Sequence, residues 1–91
     1  MKYLHLGQST VVPDTEILGI FDTDNATSSH VTRKFLRLAE QHGQVVDVSG
    51  ELPKSFVLAA PKTGGEPTVY LSQLMSATLL RRSESPGFRE D

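Results

Sequence analysis

At 91 residues the chain makes one small domain whose hydrophobic burial leaves a modest stability margin, so association with further copies of itself is expected. It has no cysteine, which excludes a disulfide framework, a thiolate metal site and thiol catalysis. A formal net charge of -2 and a pI near 5.9 exclude a uniformly basic surface and leave local basic patches as the route to nucleic acid.

Tyr3-Leu4-His5-Leu6-Gly7 reads as an opening strand and Thr10-Val11-Val12 as a second, joined by the turn Gly7-Gln8-Ser9. After the break at Pro13-Asp14, the run Ile17 to Phe21 is apolar nearly throughout, which predicts a strand covered on both faces and central in its sheet. From about Ser28 to His42 the apolar residues Val31, Phe35, Leu38 and Ala39 recur at spacings of four, three and one, with Leu36 on the shoulder, predicting a helix with that face on the core. Gly43 is its stop, since glycine reaches the left-handed conformation at little steric cost.

Val45 to Val48 resumes as a strand. Ser55 to Ala60 and Thr68 to Ser72 read as a hairpin around the Gly/Pro/Lys-rich loop 61–67. A shorter helix is expected over Ser76 to Arg81, and Ser83 to Asp91, with its Pro86-Gly87 pair, has the composition of a disordered tail. That tail carries Glu84, Glu90 and Asp91 against Arg89 alone, so residues 1–82, the expected domain, are electrically balanced. There is no internal repeat. The fold class predicted is α+β: a small, mostly antiparallel sheet of about five to six strands, one main helix and a short C-terminal helix.

Asp22 and Asp24 close the apolar run in the way that haloacid-dehalogenase-type phosphatases present their nucleophile and acid/base pair. That motif carries Thr or Val two positions after the second Asp, where this chain has Ala26, with Thr27 one step late. The chemistry also needs a larger parallel sheet, a phosphate-neutralising cation and further carboxylates for Mg²⁺, so the same residues read better as helix-capping acceptors. A calcium loop fails because Ala26, Thr27 and Arg33 stand where an oxygen ligand, Gly and Glu are required. His5, His30 and His42 have no metal-ligand spacing, and His42 in the last turn suits the helix dipole. Gly64-Gly65 after Lys62 lacks the order of a phosphate loop and joins two strands. No enzymatic activity, cofactor or metal is expected.

On the main helix, Arg33 and Arg37 are one turn apart, Lys34 flanks them toward the apolar side, and Glu40 offsets them. This is either an ordinary solvated face or a stripe that contacts the phosphates of a duplex, with Lys54 in the turn before the next strand joining it. Arg81 and Arg82 are explained by a helix end next to an acidic tail.

The segments Tyr3-Leu4-His5-Leu6-Gly7, Ile17-Leu18-Gly19-Ile20-Phe21-Asp22, Leu52-Pro53-Lys54-Ser55-Phe56-Val57 and Tyr70-Leu71-Ser72, in this order and spacing, resemble the small bacterial extracellular matrix regulators of the RemA/RemB family, the RemB branch more than the RemA branch. The resemblance runs through about residues 1 to 82. It implies a DNA-associated, non-enzymatic regulator of matrix and biofilm gene expression, a compact αβ subunit assembled into a homo-oligomer. It also implies that Arg33 and Lys34 match a basic pair near the helix start. The arginine-rich turn of RemA-like members is represented by Gly50-Glu51-Leu52-Pro53-Lys54, in which Lys54 alone keeps a positive charge.

The expected partners are therefore double-stranded DNA, through Arg33, Lys34, Arg37 and Lys54, and further copies of the chain, with a second regulator protein as an additional partner. The expected compartment is the cytoplasm: no apolar run approaches the roughly 20 residues of a membrane span, and residues 1–6 are too soon interrupted for a secretory signal. The alternative is a protein-interaction module in which Phe56, Tyr70 or an exposed sheet edge docks a partner and the basic helix is merely solvated.

Overall fold

A computed structural model of the chain describes residues 2–23, 29–50 and 52–84. Its element order is β1 (Tyr3–Gly7), β2 (Thr10–Pro13), a 3₁₀ turn (Asp14–Glu16), β3 (Ile17–Asp22), α1 (His30–Gln41), β4 (Val45–Asp47), β5 (Ser55–Ala59), β6 (Thr68–Ser72) and α2 (Ser76–Glu84). The class is α+β as the sequence predicts, but the six strands divide between two sheets. β1 and β2 form an antiparallel hairpin, and the remaining four run in the order β3-β5-β6-β4, with β4 parallel to β6 and the other pairs antiparallel.

The molecule has three layers, and the alternation of β5 and β6 sets them. Phe56 and Leu58 of β5, with Val69 and Leu71 of β6, face α1 and close on Ala39, Leu36 and Val45. Val57 and Ala59 point the other way, into a second core with Leu4, Leu6 and Val12 of the hairpin and Leu79 of α2. Both faces of β5 are thus covered.

The hairpin is fastened by polar groups as well as by apolar ones. Ser72 Oγ donates to the Leu6 carbonyl at 2.6 Å, Gln8 Nε2 to the Val48 carbonyl at 3.1 Å, and Lys2 Nζ to the Ser83 carbonyl at 3.1 Å. Lys2 also lies 3.9 Å from Asp14. Ser55 Oγ donates to the Leu74 carbonyl at 2.7 Å, so the serines buried on the hairpin side of β5 and β6 are both satisfied.

Three expectations are corrected. β3 is an edge strand, not a central one, and Leu18 is 63% exposed because a bulge between Ile17 and Gly19 leaves it without a partner on β5. An apolar run alone does not separate a strand buried on both faces from an edge strand whose neighbours supply the cover. A Cβ at Gly19 would meet the far edge of the Phe21 ring at 2.7 Å, so a larger residue there would make that ring shift.

The second correction concerns α1. Val31, Phe35 and Leu38, assigned to its core face, are all exposed, Val31 by 73%, while Ala39 is its buried residue and Leu36 is partly buried against the sheet. The helix is rolled so that its apolar stripe lies beside the sheet rather than over it. Third, α2 runs to Glu84, past the expected Arg81, because Leu79 anchors it in the second core and Lys2 holds the Ser83 carbonyl. Residues 85–91 lie outside the described residues.

The cap of α1 is Ser29, whose Oγ accepts from Thr32 N at 3.4 Å; of the two carboxylates expected to cap it, Asp22 is instead the last residue of β3, and Asp24 lies outside the described residues. At the other end Gly43 has φ +70 and stops the helix as expected.

Candidate nucleic-acid interface

The roll of α1 gives it two unlike flanks. On one, Val31, Phe35 and Thr32 border an apolar groove of about 300 Å³ whose floor is Phe21, Phe56 and Leu58. Phe21 and Phe56 are stacked there, centroids 4.9 Å apart at 22°. On the other flank, Arg33, Arg37 and Glu40 rise beside a groove of about 490 Å³ lined also by Leu36, Val45, Leu71, Pro53 and Thr23.

Arg33 and Arg37 share this second flank because four residues advance a helix by little more than one turn. Lys34, about 100° further round, stands on the outer surface of the helix and does not line the groove. The turn that bears Lys54 meets this groove through Pro53. The Lys54 backbone N–H donates to Ser72 O at 2.8 Å, its carbonyl accepts from Thr23 N at 3.2 Å, and Thr23 Oγ1 donates to the Pro53 carbonyl at 3.1 Å. These bonds fix the Pro53-Lys54 turn against the end of β3, so that Pro53 closes the groove and the exposed Lys54 follows it in sequence.

Of the four basic residues expected at the interface, two line the groove, one borders it in sequence and one faces outward. All four are exposed. The groove floor went unread in the sequence, since Leu36, Val45, Leu71 and Pro53 come from four separate segments and no local pattern links them. Leu52, 85% exposed beside this turn, was also unremarkable as a sequence position. Phe56 is 3% exposed, so it is a core residue and not the docking residue of the protein-interaction reading; Tyr70 is half-buried against the second core.

Asp47, at the end of β4, accepts from both Ser49 Oγ (2.6 Å) and Ser49 N (2.9 Å), and these bonds hold its carboxyl below the usual carboxylate range. The histidines are apart from one another: His5 Nε2 lies 2.7 Å from the Gln8 carbonyl, and His30 and His42 stand at opposite ends of α1. Among the described residues, no group of three His, Cys, Asp or Glu side chains is arranged to hold a metal, and no helix is long and apolar enough to cross a membrane.

These features define a small α+β domain whose main helix presents a basic flank and an apolar flank to its surroundings. No protein-family model matches the chain. It is 37% identical over 82 residues to Extracellular matrix regulatory protein B of Bacillus subtilis (strain 168), the match covering 90% of each chain. The chain belongs to the RemA/RemB family of extracellular matrix regulators, and within it resembles RemB.

Proposed function

We propose that this protein is a cytoplasmic, non-enzymatic regulator of extracellular matrix and biofilm gene expression. It contacts the phosphates of duplex DNA through Arg33, Lys34, Arg37 and Lys54, repeated around a homo-oligomer. The regulatory role is supported by the near full-length similarity to a protein named as an extracellular matrix regulator. The observation that carries the DNA reading is the placing of Arg33 and Arg37 on one flank of α1, facing the turn that bears Lys54.

Few cations per subunit make weak contacts, and repetition around an assembly multiplies them along one duplex. Assembly is supported by the exposed stripe Val31, Phe35 and Leu38 and by the exposed Leu18 on the edge strand β3. Positioning by phosphates and selection by DNA shape are expected.

A second reading has its own observation. The turn before β5 presents Leu52 to solvent, 85% exposed, with Lys54 as its one cation among residues 50–54, which suits docking to a partner regulator with little direct DNA contact.

Anisotropy of a labelled duplex of about 40 base pairs across a salt series tests both. The DNA reading expects a steep salt dependence whose slope falls by about one for each phosphate-binding cation removed, as in Arg33→Ala/Lys34→Ala. No binding at low salt by the folded protein would overturn it in favour of the protein partner.

A further inference from the structure

The exposed apolar positions of α1, Val31, Phe35 and Leu38, are spaced four and three residues apart, with His42 following at the next step of four. That is the narrow seam of a helix paired with another helix, not the broader stripe of one packed on its own sheet. The sheet side of α1 is already taken by Leu36 and Ala39, which close on Phe56, Val69 and Leu71. Four strands at a spacing of about 4.8 Å leave room on one face for two helices at the usual distance of about 8–10 Å. Among the described residues α1 alone occupies this face, and Phe21 on the outermost strand stays exposed beside it. The open place is the groove of about 300 Å³ between Val31, Thr32 and Phe35 of the helix and Phe21, Phe56 and Leu58 of the sheet. Leu38 is exposed and does not line it, so α1 carries a hole toward its first half and a knob in its second.

We propose that α1 of a second copy fills this place, antiparallel about a two-fold axis, with Leu38 of each copy entering the groove of the other. A two-fold contact matches one patch to itself, so a single chain supplies both knob and hole. Phe35 then lies opposite Leu38 of the second copy, and Val31 opposite its His42, because residue numbers rise along one helix as they fall along the other. Val31, Phe35, Leu38 and Phe21 leave on the order of 300 Å² of apolar surface open, a size at which a patch is often functional. It suffices for the core of a small interface, given that a standard one buries about 800 Å² per partner with its polar rim included. Orientation follows from charge. Lys34 and Gln41, both exposed, border the seam on its solvent side. Antiparallel helices set Lys34 against Gln41 of the second copy, whose amide oxygen accepts, and oppose the two helix dipoles, whereas parallel helices bring Lys34 toward Lys34. This rests on the assembly part of the proposed function and not on its DNA part: the seam lies on the flank away from Arg33 and Arg37 and does not cover them.

The chain has no cysteine, so cysteines introduced singly report on the pairing. Val31 and His42 are both exposed, so Val31→Cys and His42→Cys are expected to keep the fold, as circular dichroism would verify. On mild oxidation, an equimolar mixture of the two chains should form the mixed disulfide-linked dimer at least about tenfold faster than either chain links to itself. A disulfide needs Cα atoms within about 7 Å, and antiparallel helices in this register set the two Val31 positions about 16 Å apart along the axis. Adding Leu38→Glu to both chains should slow the mixed link about tenfold, while Arg81→Ala on α2 leaves it unchanged. Val31→Cys linking to itself as fast as the mixture would overturn the antiparallel pair. Absence of the mixed link in chains that light scattering shows to be oligomeric would overturn this seam and leave assembly standing. A monomer mass at about 1 mM would overturn the seam together with the assembly it rests on, and the anisotropy experiment decides the phosphate contacts separately.

Discussion

Ser72 on β6 reaches across the molecule to Leu6 on β1, its Oγ donating at 2.6 Å to a carbonyl 66 residues earlier in the chain. The same oxygen accepts from Leu74 N at 3.0 Å, in the turn that starts α2. One fully buried hydroxyl therefore joins the hairpin, the four-stranded sheet and the approach to α2. Replacing it removes a hydrogen-bond partner from the Leu6 carbonyl and from the part-buried Leu74 N–H. Ser72→Ala is expected to lower stability by about 1–3 kcal/mol, seen as a lower urea midpoint at unchanged m-value. A midpoint equal to that of the parent would mean that the hairpin is held by Leu4, Leu6 and Val12 alone.

Gly43 isolates a backbone effect, because its φ is +70 and a Cβ there would meet nothing within 4 Å. Gly43→Ala should destabilise by about 1 kcal/mol, and Gly43→Asn by less, since Asn tolerates the left-handed region better. Thermal unfolding of both variants measures this, and equal Tm values for all three proteins would contradict the assigned cap.

Asp47 gives a pH dependence with a definite sign. Its folded-state pKa is lowered by the Ser49 hydroxyl and backbone bonds, so the unfolded chain binds the proton more readily than the folded one. The contribution is present above the unfolded carboxylate pKa and is lost as pH falls through the folded value. Urea midpoints of the parent should therefore drop on acidification below the usual carboxylate range more than those of Asp47→Asn. Parallel decline in the two proteins would remove Asp47 as a source.

The exposed stripe on α1 separates assembly from folding. Val31→Glu and Phe35→Glu change side chains already open to solvent, so the secondary structure by circular dichroism is expected to survive, with stability altered by no more than about 1 kcal/mol. Light scattering should register a fall in molecular mass. Phe56→Ala differs in kind: it empties a buried position stacked against Phe21 and should cost about 3–5 kcal/mol. An unchanged mass in the two glutamate variants would remove this stripe as the proposed interface.

Much of the local structure could be read from the chain itself. The strands β1, β2, β5 and β6 fall where alternation and β-branched runs put them. Gly43 ends α1 because a left-handed residue is needed there, and the four segments that carry the resemblance to the RemA/RemB family stand in order along the chain. These are properties of neighbours in sequence, and neighbours in sequence fix them. What the sequence could not settle is what each element lies against. The run Ile17 to Phe21 is apolar whether central or at an edge, and only the pairing order β3-β5-β6-β4 places it outermost. Val31, Phe35 and Leu38 keep helical spacing whichever way α1 is rolled; that Leu36 and Ala39 take the sheet, leaving the stripe exposed, depends on Phe56, Val69 and Leu71, which arrive from later in the chain. The basic groove belongs to the same kind. Arg33 and Arg37 are adjacent by helix geometry alone, but a floor of Val45, Pro53 and Leu71 beneath them exists because burial is a property of three-dimensional neighbours, which spacing along one helix does not encode.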